Sequence, residues 1–367
     1  KRLVGTRWVE LLAAHDCRVE VYDAEDMFGE DDLIAAVGTR CDGALGQLNE
    51  PWNGRVLERF AAAGGKVISS YAVGVNNIDL ASASRLGIAV CNTPGVLTEA
   101  TAELAVALVF SAVRRIAEGD RYMRDGRFEG WLPSLMLGRQ VAGRTLGLFG
   151  AGRIGQSVAR SLAGGFGMDV VYFNPHPRPE LEAYVADLAE VAKKHGQRPP
   201  SIRRTEDVDD LFRAADVLVL LSSYSPALRH LVDARRLDLM KPAAVLVNAS
   251  RGPVVDEAAL IAHLRAHPEF TAGLDVFEFE PSLVEGLTDL PNVVLSPHTG
   301  SATLESRSDM ATLAALNCVG VLHHWPVAGA STAASGASVS TTELAADPTR
   351  QLVPSLLNAK ELAWPTV

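Results

Sequence analysis

The chain has few cysteines, few clustered basic residues and no long apolar run. Its four cysteines among 367 residues are widely spaced and form no Cys-x-x-Cys pair. This argues against a disulfide framework or a structural zinc site and is typical of a reducing compartment. No stretch approaches the roughly 18 consecutive apolar residues of a membrane span, so no membrane association is expected. The formal charge is −10 without any basic tract, so we expect no nucleic-acid partner.

Apolar material is plentiful instead. Apolar residues make up 48% of the chain and charged residues 21%, which excludes disorder over most of its length. A chain of 367 residues is also too long for one compact core. We therefore expect two ordinary domains.

The first hundred residues alternate helical and strand patterns. An amphipathic helix is predicted at 7–15. Strands are predicted at 18–22, 66–70 and 87–91, with Pro94 and Gly95 ending the last. Residues 98–117, rich in Ala and Leu and free of Gly and Pro, predict a long helix that is buried on more than one side. This alternation is typical of a small parallel sheet.

A second run of strands begins after Arg144. Its members are the continuously apolar segments TLGLFG, DVVYFN, DVLVLLSS, AAVLVNAS, AGLDVF and NVVLSPH. Such strands are covered by helices on both faces, and six of them make a doubly wound nucleotide-binding sheet. Residues 178–212 predict a charged, helix-rich insertion after the second strand. The fold class predicted for the chain is α/β.

A glycine-rich turn follows the first of these strands. Its residues are Gly150, Ala151, Gly152, Arg153, Ile154 and Gly155. Gly150 would permit the tight turn, Gly152 would let the backbone approach a pyrophosphate, and Gly155 would pack the helix against the sheet. A purely structural turn is the alternative. Because the motif lies between a strand and a helix, dinucleotide binding is favoured.

The position expected to contact the cofactor's ribose holds Asn174, 19 residues after Gly155. An asparagine hydrogen-bonds a hydroxyl without repelling a 2′-phosphate. Arg178 is close enough in sequence to meet such a phosphate, although a solvated loop charge is the alternative for it. We expect NAD(H) to be preferred, with measurable use of NADP(H).

Arg251, Glu280 and His298 each follow the C-terminal end of a predicted strand, where open α/β sheets bind their ligands. Singly, they could be a helix-entry charge, a surface carboxylate and a packed histidine. Together they are suited to catalysis. An arginine guanidinium can bind a substrate carboxylate through two hydrogen bonds, and a His–Glu pair can deliver a proton. His263 and His267 are four residues apart, but no third ligand lies near them in sequence, so we interpret them as surface residues and expect no metal.

NASRGPVVDEAAL, GLDVFEFEP and LSPHTGSAT resemble the signatures of D-2-hydroxyacid dehydrogenases. AVGVNNID, CNTPGVLTEATAELA and EGWLP are most similar to the plant-type hydroxypyruvate (glycerate) reductase branch, over residues 1–326. This resemblance implies an enzyme of photorespiratory metabolism that reduces hydroxypyruvate to D-glycerate, and glyoxylate to glycolate, with NAD(P)H. It also implies a homodimer. Another D-2-hydroxyacid dehydrogenase, or a nucleotide-sensing corepressor of the same fold, is the alternative.

The resemblance also implies site roles. Arg251, with the backbone N–H groups of Val73 and Gly74, would bind the 2-oxo acid substrate. His298 would be the acid in reduction, with Glu280 as its partner, and Asp275 would bond the nicotinamide carboxamide. Further residues implied to contact the cofactor are Thr98, Ala249 and Gly300. Trp131 is implied to reach the substrate in a neighbouring subunit.

Three departures from the plant-type pattern are visible. Asn174 replaces an acidic residue, and Leu221-Ser222 replaces a His-Pro pair. The chain also ends in Pro-Thr-Val instead of a peroxisomal tripeptide and does not begin with Met. We therefore expect an organellar location, the mitochondrion first, with peroxisome or cytosol as alternatives.

The predicted organisation is two doubly wound, Rossmann-like parallel-sheet domains with a cleft between them. The substrate domain is discontinuous, comprising 1–96 and 300–326. The dinucleotide-binding domain is 97–299, with hinges near Gly95 and Gly300. Residues 327–367 are predicted to form a flexible tail, because this segment begins with the small-residue linker AGASTAASGASVSTT; the last segment, LVPSLLNAKELAWPTV, is apolar enough to dock back onto the body.

Overall fold

The computed structural model describes residues 3–22, 27–327 and 351–365. They form two compact units: unit 1 comprises the described residues within 1–97 and 301–367, and unit 2 comprises 98–300. The predicted boundaries, after residues 96 and 299, fall one residue from these. No helix in the described ranges is long and apolar enough to cross a membrane.

The helices and strands are numbered in chain order. The helices are α1 Arg7–Ala14, α2 Glu30–Val37, α3 Gly54–Ala62, α4 Leu80–Arg85, α5 Thr98–Val113, α6 Ile116–Arg124, α7 Arg153–Phe166, α8 Pro179–Lys194, α9 Val208–Ala214, α10 Ala234–Leu237, α11 Glu257–Ala266 and α12 Leu304–Leu322. The strands are β1 Gly43–Gly46, β2 Val67–Ser70, β3 Ala89–Cys91, β4 Thr145–Phe149, β5 Asp169–Phe173, β6 Ile202–Thr205, β7 Val217–Leu220, β8 Val245–Asn248, β9 Thr271–Leu274 and β10 Val293–Leu295.

Unit 1 contains a parallel sheet of three strands in the order β1-β2-β3. The predicted strand at 18–22 is wrong, because this segment pairs with no described strand and Val21 is exposed. β1 was missed because its sequence, GALG, resembles a loop. Its glycines serve packing: a Cβ on Gly43 would lie 2.7 Å from Cys318 Sγ, and one on Gly46 would lie 2.9 Å from Trp52 Nε1.

Unit 2 contains a parallel sheet of seven strands in the order β10-β9-β8-β7-β4-β5-β6. Apolar clusters cover both faces, and all four residues of β7 and of β8 are buried. The predicted α/β class and doubly wound topology are confirmed. β6 was missed inside the insertion predicted as helix-rich at 178–212, because an edge strand with the sequence IRRT needs little apolar surface.

The long helix predicted at 98–117 ends early. α5 stops at Val113, and Arg115 adopts a left-handed conformation with φ of +55° before α6 begins. Arg139 N donates to Val113 O at 2.8 Å, which satisfies a terminal carbonyl of α5. Composition alone did not reveal this break, because the partner that caps the helix is distant in sequence.

Residues 351–365 belong to unit 1, as expected from the apolar character of the last segment, so the flexible tail predicted at 327–367 does not include them. Leu357 N donates to Val90 O at 2.8 Å, and Asn358 Oδ1 accepts from Val90 N at 2.9 Å. These bonds satisfy backbone groups of β3 at the sheet edge, so the segment packs against unit 1. The small-residue linker on which the prediction rested, 328–350, lies outside the described residues.

Candidate active site

The glycine turn joins β4 to α7 at the point where the strand order of the sheet reverses. Gly150 has φ of +99°, and a Cβ there would lie 2.7 Å from Ser222 N, in the loop that follows β7. A Cβ on Gly155 would lie 2.3 Å from Gly150 O. Both contacts are with backbone, so a side chain at Gly150 would push the turn away from the loop after β7, and one at Gly155 would push α7 away from the turn.

Gly152 has open space where its Cβ would be. It forms the N-cap of α7, whose first N–H groups have no intrahelical acceptor and carry the positive end of the helix dipole. An open glycine at a helix N-terminus fits a pyrophosphate. Arg153 and Ile154 begin α7, and Ile154 packs against the apolar cluster beneath it.

Asn174 is buried at the end of β5, with 6% of its surface exposed. Its Oδ1 accepts from Ala151 N at 3.2 Å, and its Nδ2 donates to His176 O at 2.8 Å. The side chain therefore fixes the glycine turn in addition to any contact with a ribose. This structural role was not predicted from the sequence.

Two arginines lie beside Asn174. Arg178 Nε donates to Ala151 O at 2.8 Å, so its guanidinium reaches the glycine turn and does not merely face solvent. Arg204, on the missed strand β6, donates from Nε to Asn174 O and from Nη2 to Pro175 O, both at 3.1 Å. The end of β5 is therefore bordered by positive charge.

The structure brings Glu280 and His298 together. Glu280 Oε2 lies 2.8 Å from His298 Nδ1, and Glu280 Oε1 accepts from Phe277 N at 2.8 Å. Burial by itself raises the pKa of Glu280, but the hydrogen bond and charge of His298, the Phe277 N–H and Arg251 together lower it below its ordinary value. Glu280 is therefore a carboxylate at neutral pH, and it orients the imidazole through Nδ1.

His298 lies in a turn that a buried carboxylate holds in place. Its φ is +54°, a region that costs free energy for a side chain of this size. Asp275, 2% exposed, accepts from Thr299 N at 2.7 Å and from Gly300 N at 2.8 Å. Both oxygens of Asp275 thus stabilise the conformation that presents His298.

Arg251 follows β8 and is held by its own backbone environment. Its Nη1 donates to Ser250 O at 2.7 Å, and Asn248 Nδ2 donates to Arg251 O at 3.0 Å. Burial lowers the pKa of the Arg251 guanidinium, and the nearby Glu280 carboxylate opposes that shift. A desolvated, fixed guanidinium interacts strongly with an anion that enters the site.

Sequence reasoning missed Glu257, the first residue of α11, which is 1% exposed. Its Oε1 accepts from Glu278 N at 2.8 Å, and its Oε2 has no hydrogen-bond partner among the described residues. Burial, together with the charges of Glu278 and Glu280, raises its pKa, and the Glu278 N–H opposes this shift. A run of VVDEAAL signals a helix start, but only the fold places this carboxyl behind the loop of Glu280.

The other predicted site residues occupy varied positions. In unit 1, Val73 and Gly74 follow β2, and their N–H groups have no acceptor among the described residues. In unit 2, Thr98 begins α5, Ala249 packs against the apolar cluster beside α7, and Trp131 is 82% exposed. Two free N–H groups in succession suit an anion.

The interpretation of His263 and His267 as surface residues rested on the lack of a third ligand. That ground is wrong: Asp238, distant in sequence, has a carboxylate oxygen within 4.8 Å of a ring nitrogen of each histidine. His263 is also mostly buried, with 9% of its side chain exposed. The fold places α10 beside α11, and this juxtaposition creates the cluster.

Comparisons with known proteins agree with this geometry. Residues 106–300 match the family described as D-isomer specific 2-hydroxyacid dehydrogenase, NAD binding domain. The chain is 46% identical over 328 residues to the glycerate dehydrogenase of Cucumis sativus, covering 89% of this chain and 86% of that protein. It is also similar to two solved structures. These are the TT0316 protein of Thermus thermophilus (38% identical, TM-score 0.76, 88% of this chain and 95% of that one) and a glyoxylate reductase from Paecilomyes thermophila (27%, 0.71, 86% and 92%).

A doubly wound sheet, a glycine turn and an Arg–Glu–His rim define a dinucleotide-dependent oxidoreductase. The chain belongs to the D-2-hydroxyacid dehydrogenase family, and its unit 2 is the NAD-binding domain of that family.

Proposed function

We propose that the protein reduces hydroxypyruvate to D-glycerate, and glyoxylate to glycolate more slowly. The observation that carries the proposal is the Glu280–His298 pair at 2.8 Å, located on the same sheet rim as Arg251. Its relatives support the substrate class: the protein of Cucumis sativus is named a glycerate dehydrogenase, and a structural neighbour is a glyoxylate reductase.

In the proposed mechanism, Arg251 binds the carboxylate and carbonyl oxygens of the substrate. Because His298 Nδ1 faces Glu280, its Nε2 is the nitrogen available to the substrate. The carboxylate stabilises the imidazolium, and Nε2 gives its proton to the carbonyl oxygen during reduction. In oxidation the same nitrogen accepts the proton. The nicotinamide, when bound, supplies or accepts the hydride.

For the cofactor, we propose that NADH is preferred and that NADPH is also used. Asn174 carries no charge to repel a 2′-phosphate, and the Arg178 guanidinium lies against the glycine turn. The Arg178 bond to Ala151 O uses Nε, and its two terminal nitrogens have no partner among the described residues. A phosphate could therefore be bound there without breaking that bond.

We also propose a homodimer formed through α6 and the segment after it. Large apolar side chains in this region are exposed by half or more. They are Ile116 58%, Met123 56%, Phe128 51%, Trp131 82%, Leu132 58% and Leu137 68%. So many large exposed apolar side chains within 22 residues of the chain are typical of an interface. Light scattering of the wild type and of Leu137→Ser tests it: a wild-type monomer would contradict the proposal.

The function is tested with the purified full chain and a substrate panel of hydroxypyruvate, glyoxylate and pyruvate, each with NADH and NADPH. We expect the highest kcat/KM for hydroxypyruvate with NADH, because the hydroxymethyl group adds contacts that glyoxylate lacks. A preference for glyoxylate would overturn the proposed substrate. No turnover of any 2-oxo acid would overturn the proposed activity and favour a binding protein of the same fold.

A further inference from the structure

A second cluster of ligating side chains lies in unit 2, outside the Arg–Glu–His rim. His263 is on α11, His267 is the residue after the end of that helix, and Asp238 follows α10. His267 N donates to His263 O at 2.9 Å, so helical spacing continues through His267. Residues four apart on a helix share one face, and the two ring centroids are 4.3 Å apart. The two imidazoles are therefore neighbours.

The distances in this cluster suit a metal ion. One ring nitrogen from each histidine and one carboxylate oxygen of Asp238 all lie within 4.8 Å of one another, and His263 Nδ1 lies 3.5 Å from Asp238 Oδ1. Tetrahedral Zn²⁺, with bonds of about 2.0–2.2 Å, separates its ligand atoms by roughly 3.4 Å. One pair of ligands already has this separation. The remaining separations are no greater than 4.8 Å, so each needs to close by at most about 1.4 Å, which the exposed side chain of His267 allows.

The backbone beneath the cluster is held in place by the apolar core. Leu237 precedes Asp238 and is fully buried, and Leu260 and Leu264 of α11 are buried in the same apolar cluster. Phe270 packs edge-on against the His263 ring, with centroids 4.7 Å apart. His263 is therefore restrained before any ion binds, which reduces the entropy lost on binding. Exposed His267 and Asp238 leave the fourth coordination position to water.

We propose that Asp238, His263 and His267 bind one divalent transition-metal ion, and that this ion is Zn²⁺. Two imidazoles select this class of ion over Mg²⁺ and Ca²⁺, which prefer all-oxygen sites. The ion would join the end of α10 to the end of α11 and stabilise unit 2. The ion would bind at the C-terminal end of α11, which has ten residues and is about 15 Å long. The N-terminal end of α11 lies near the catalytic loop, so the ion takes no part in proton transfer.

The test uses the full-length protein, stripped with EDTA and kept reduced, with Zn²⁺ as the probe. Titration calorimetry measures stoichiometry and affinity, and scanning calorimetry measures the Tm with and without Zn²⁺. We expect one Zn²⁺ per chain and a Tm higher by about 5 °C at saturation. His267→Ala and Asp238→Asn change exposed side chains, so both should fold, and each should weaken Zn²⁺ binding at least tenfold and abolish the Tm shift.

His195→Ala is the matched control, because His195 is also the exposed residue after the end of a helix, α8. It should bind Zn²⁺ as the wild type does. Co²⁺ substitution separates this site from the cysteines, since a His₂Asp site gives visible d–d bands without thiolate charge transfer. Equal Zn²⁺ affinity in the wild type and His267→Ala, no Tm shift in the wild type, or a cobalt–thiolate spectrum would each overturn the proposal. kcat for hydroxypyruvate is expected to be the same with and without Zn²⁺.

Discussion

Gly252 and Phe277 approach so closely that a Cβ on Gly252 would lie 1.8 Å from Phe277 O. Gly252 follows Arg251 directly, and Phe277 N donates to Glu280 Oε1. One backbone contact therefore ties the position of the guanidinium to the position of the carboxylate. Neither partner is a flexible side chain, so the contact cannot be relieved without moving one of the two loops.

Gly252→Ala should therefore destabilise unit 2 by about 3 kcal/mol and lower kcat, since overpacking against backbone forces a shift of the site. Gly165→Ala is the control. Gly165 lies in α7 with open space around its Cβ position, so the alanine should be neutral or stabilise by about 0.5 kcal/mol. Urea unfolding and steady-state kinetics measure both effects. A Gly252→Ala enzyme with wild-type stability would contradict the observed contact.

His298→Gln should reduce kcat for reduction by about 100-fold or more, because the positioned acid is lost, and should leave the Kd for NADH nearly unchanged. His230→Gln is a close control: His230 also has a left-handed φ, +52°, and also lies 2.7 Å from a glutamate, Glu278. Its turnover should stay within a few-fold of wild type. Near-normal turnover of His298→Gln at neutral pH would refute the proton-donor role.

Arg251→Lys should raise the KM for hydroxypyruvate by about 10-fold or more and also lower kcat. A point charge cannot reproduce the planar fork, and lost bonds to a charged substrate are worth roughly that factor. Arg229→Lys, at an arginine paired with Glu278, serves as the control and should leave KM unchanged. An unchanged KM in Arg251→Lys would mean that the carboxylate is bound elsewhere.

Asn174→Asp should lower kcat/KM for NADPH about 10-fold while changing that for NADH little, because a carboxylate repels the 2′-phosphate and still accepts from Ala151 N. Arg178→Ala should also weaken NADPH selectively. Arg203→Ala, an exposed arginine of β6 paired with Asp210, controls for general loss of positive charge. Strict use of NADPH by the wild type would show that the cofactor's ribose does not lie beside Asn174.

Glu257→Gln should make stability less dependent on pH. The pKa of Glu257 is raised in the folded state, so the folded chain holds a proton that the unfolded chain releases as pH rises above about 4.5. The stabilisation that this bound proton provides is fully present below the pKa of Glu257 in the unfolded chain. It is lost as pH rises through the pKa of Glu257 in the folded chain. Relative to wild type, the variant should gain stability between pH 5 and pH 8, as measured by urea unfolding. The same difference at both pH values would contradict the raised pKa.

Much of unit 2 could be predicted from residues close together in sequence. Its apolar strands are buried on both faces, so each carries an unbroken apolar signal, and six of the seven were found. The glycine turn was recognisable because it must lie between a strand and a helix. Arg251, Glu280 and His298 follow strands whose C-terminal ends share one rim in any parallel sheet, so their proximity follows from topology alone.

The tertiary structure decided what depends on partners distant in sequence. β6 is an edge strand that exists because β5 offers it hydrogen bonds, and α5 ends where Arg139 caps Val113. Asn174 is held by Ala151, and Glu257 is buried behind the loop of Glu280. Asp238 joins His263 and His267 only because α10 packs on α11. Local sequence determines the helix and strand propensities and the order of the strands along the chain. The burial and the hydrogen-bond partners of a side chain depend on which elements pack against it.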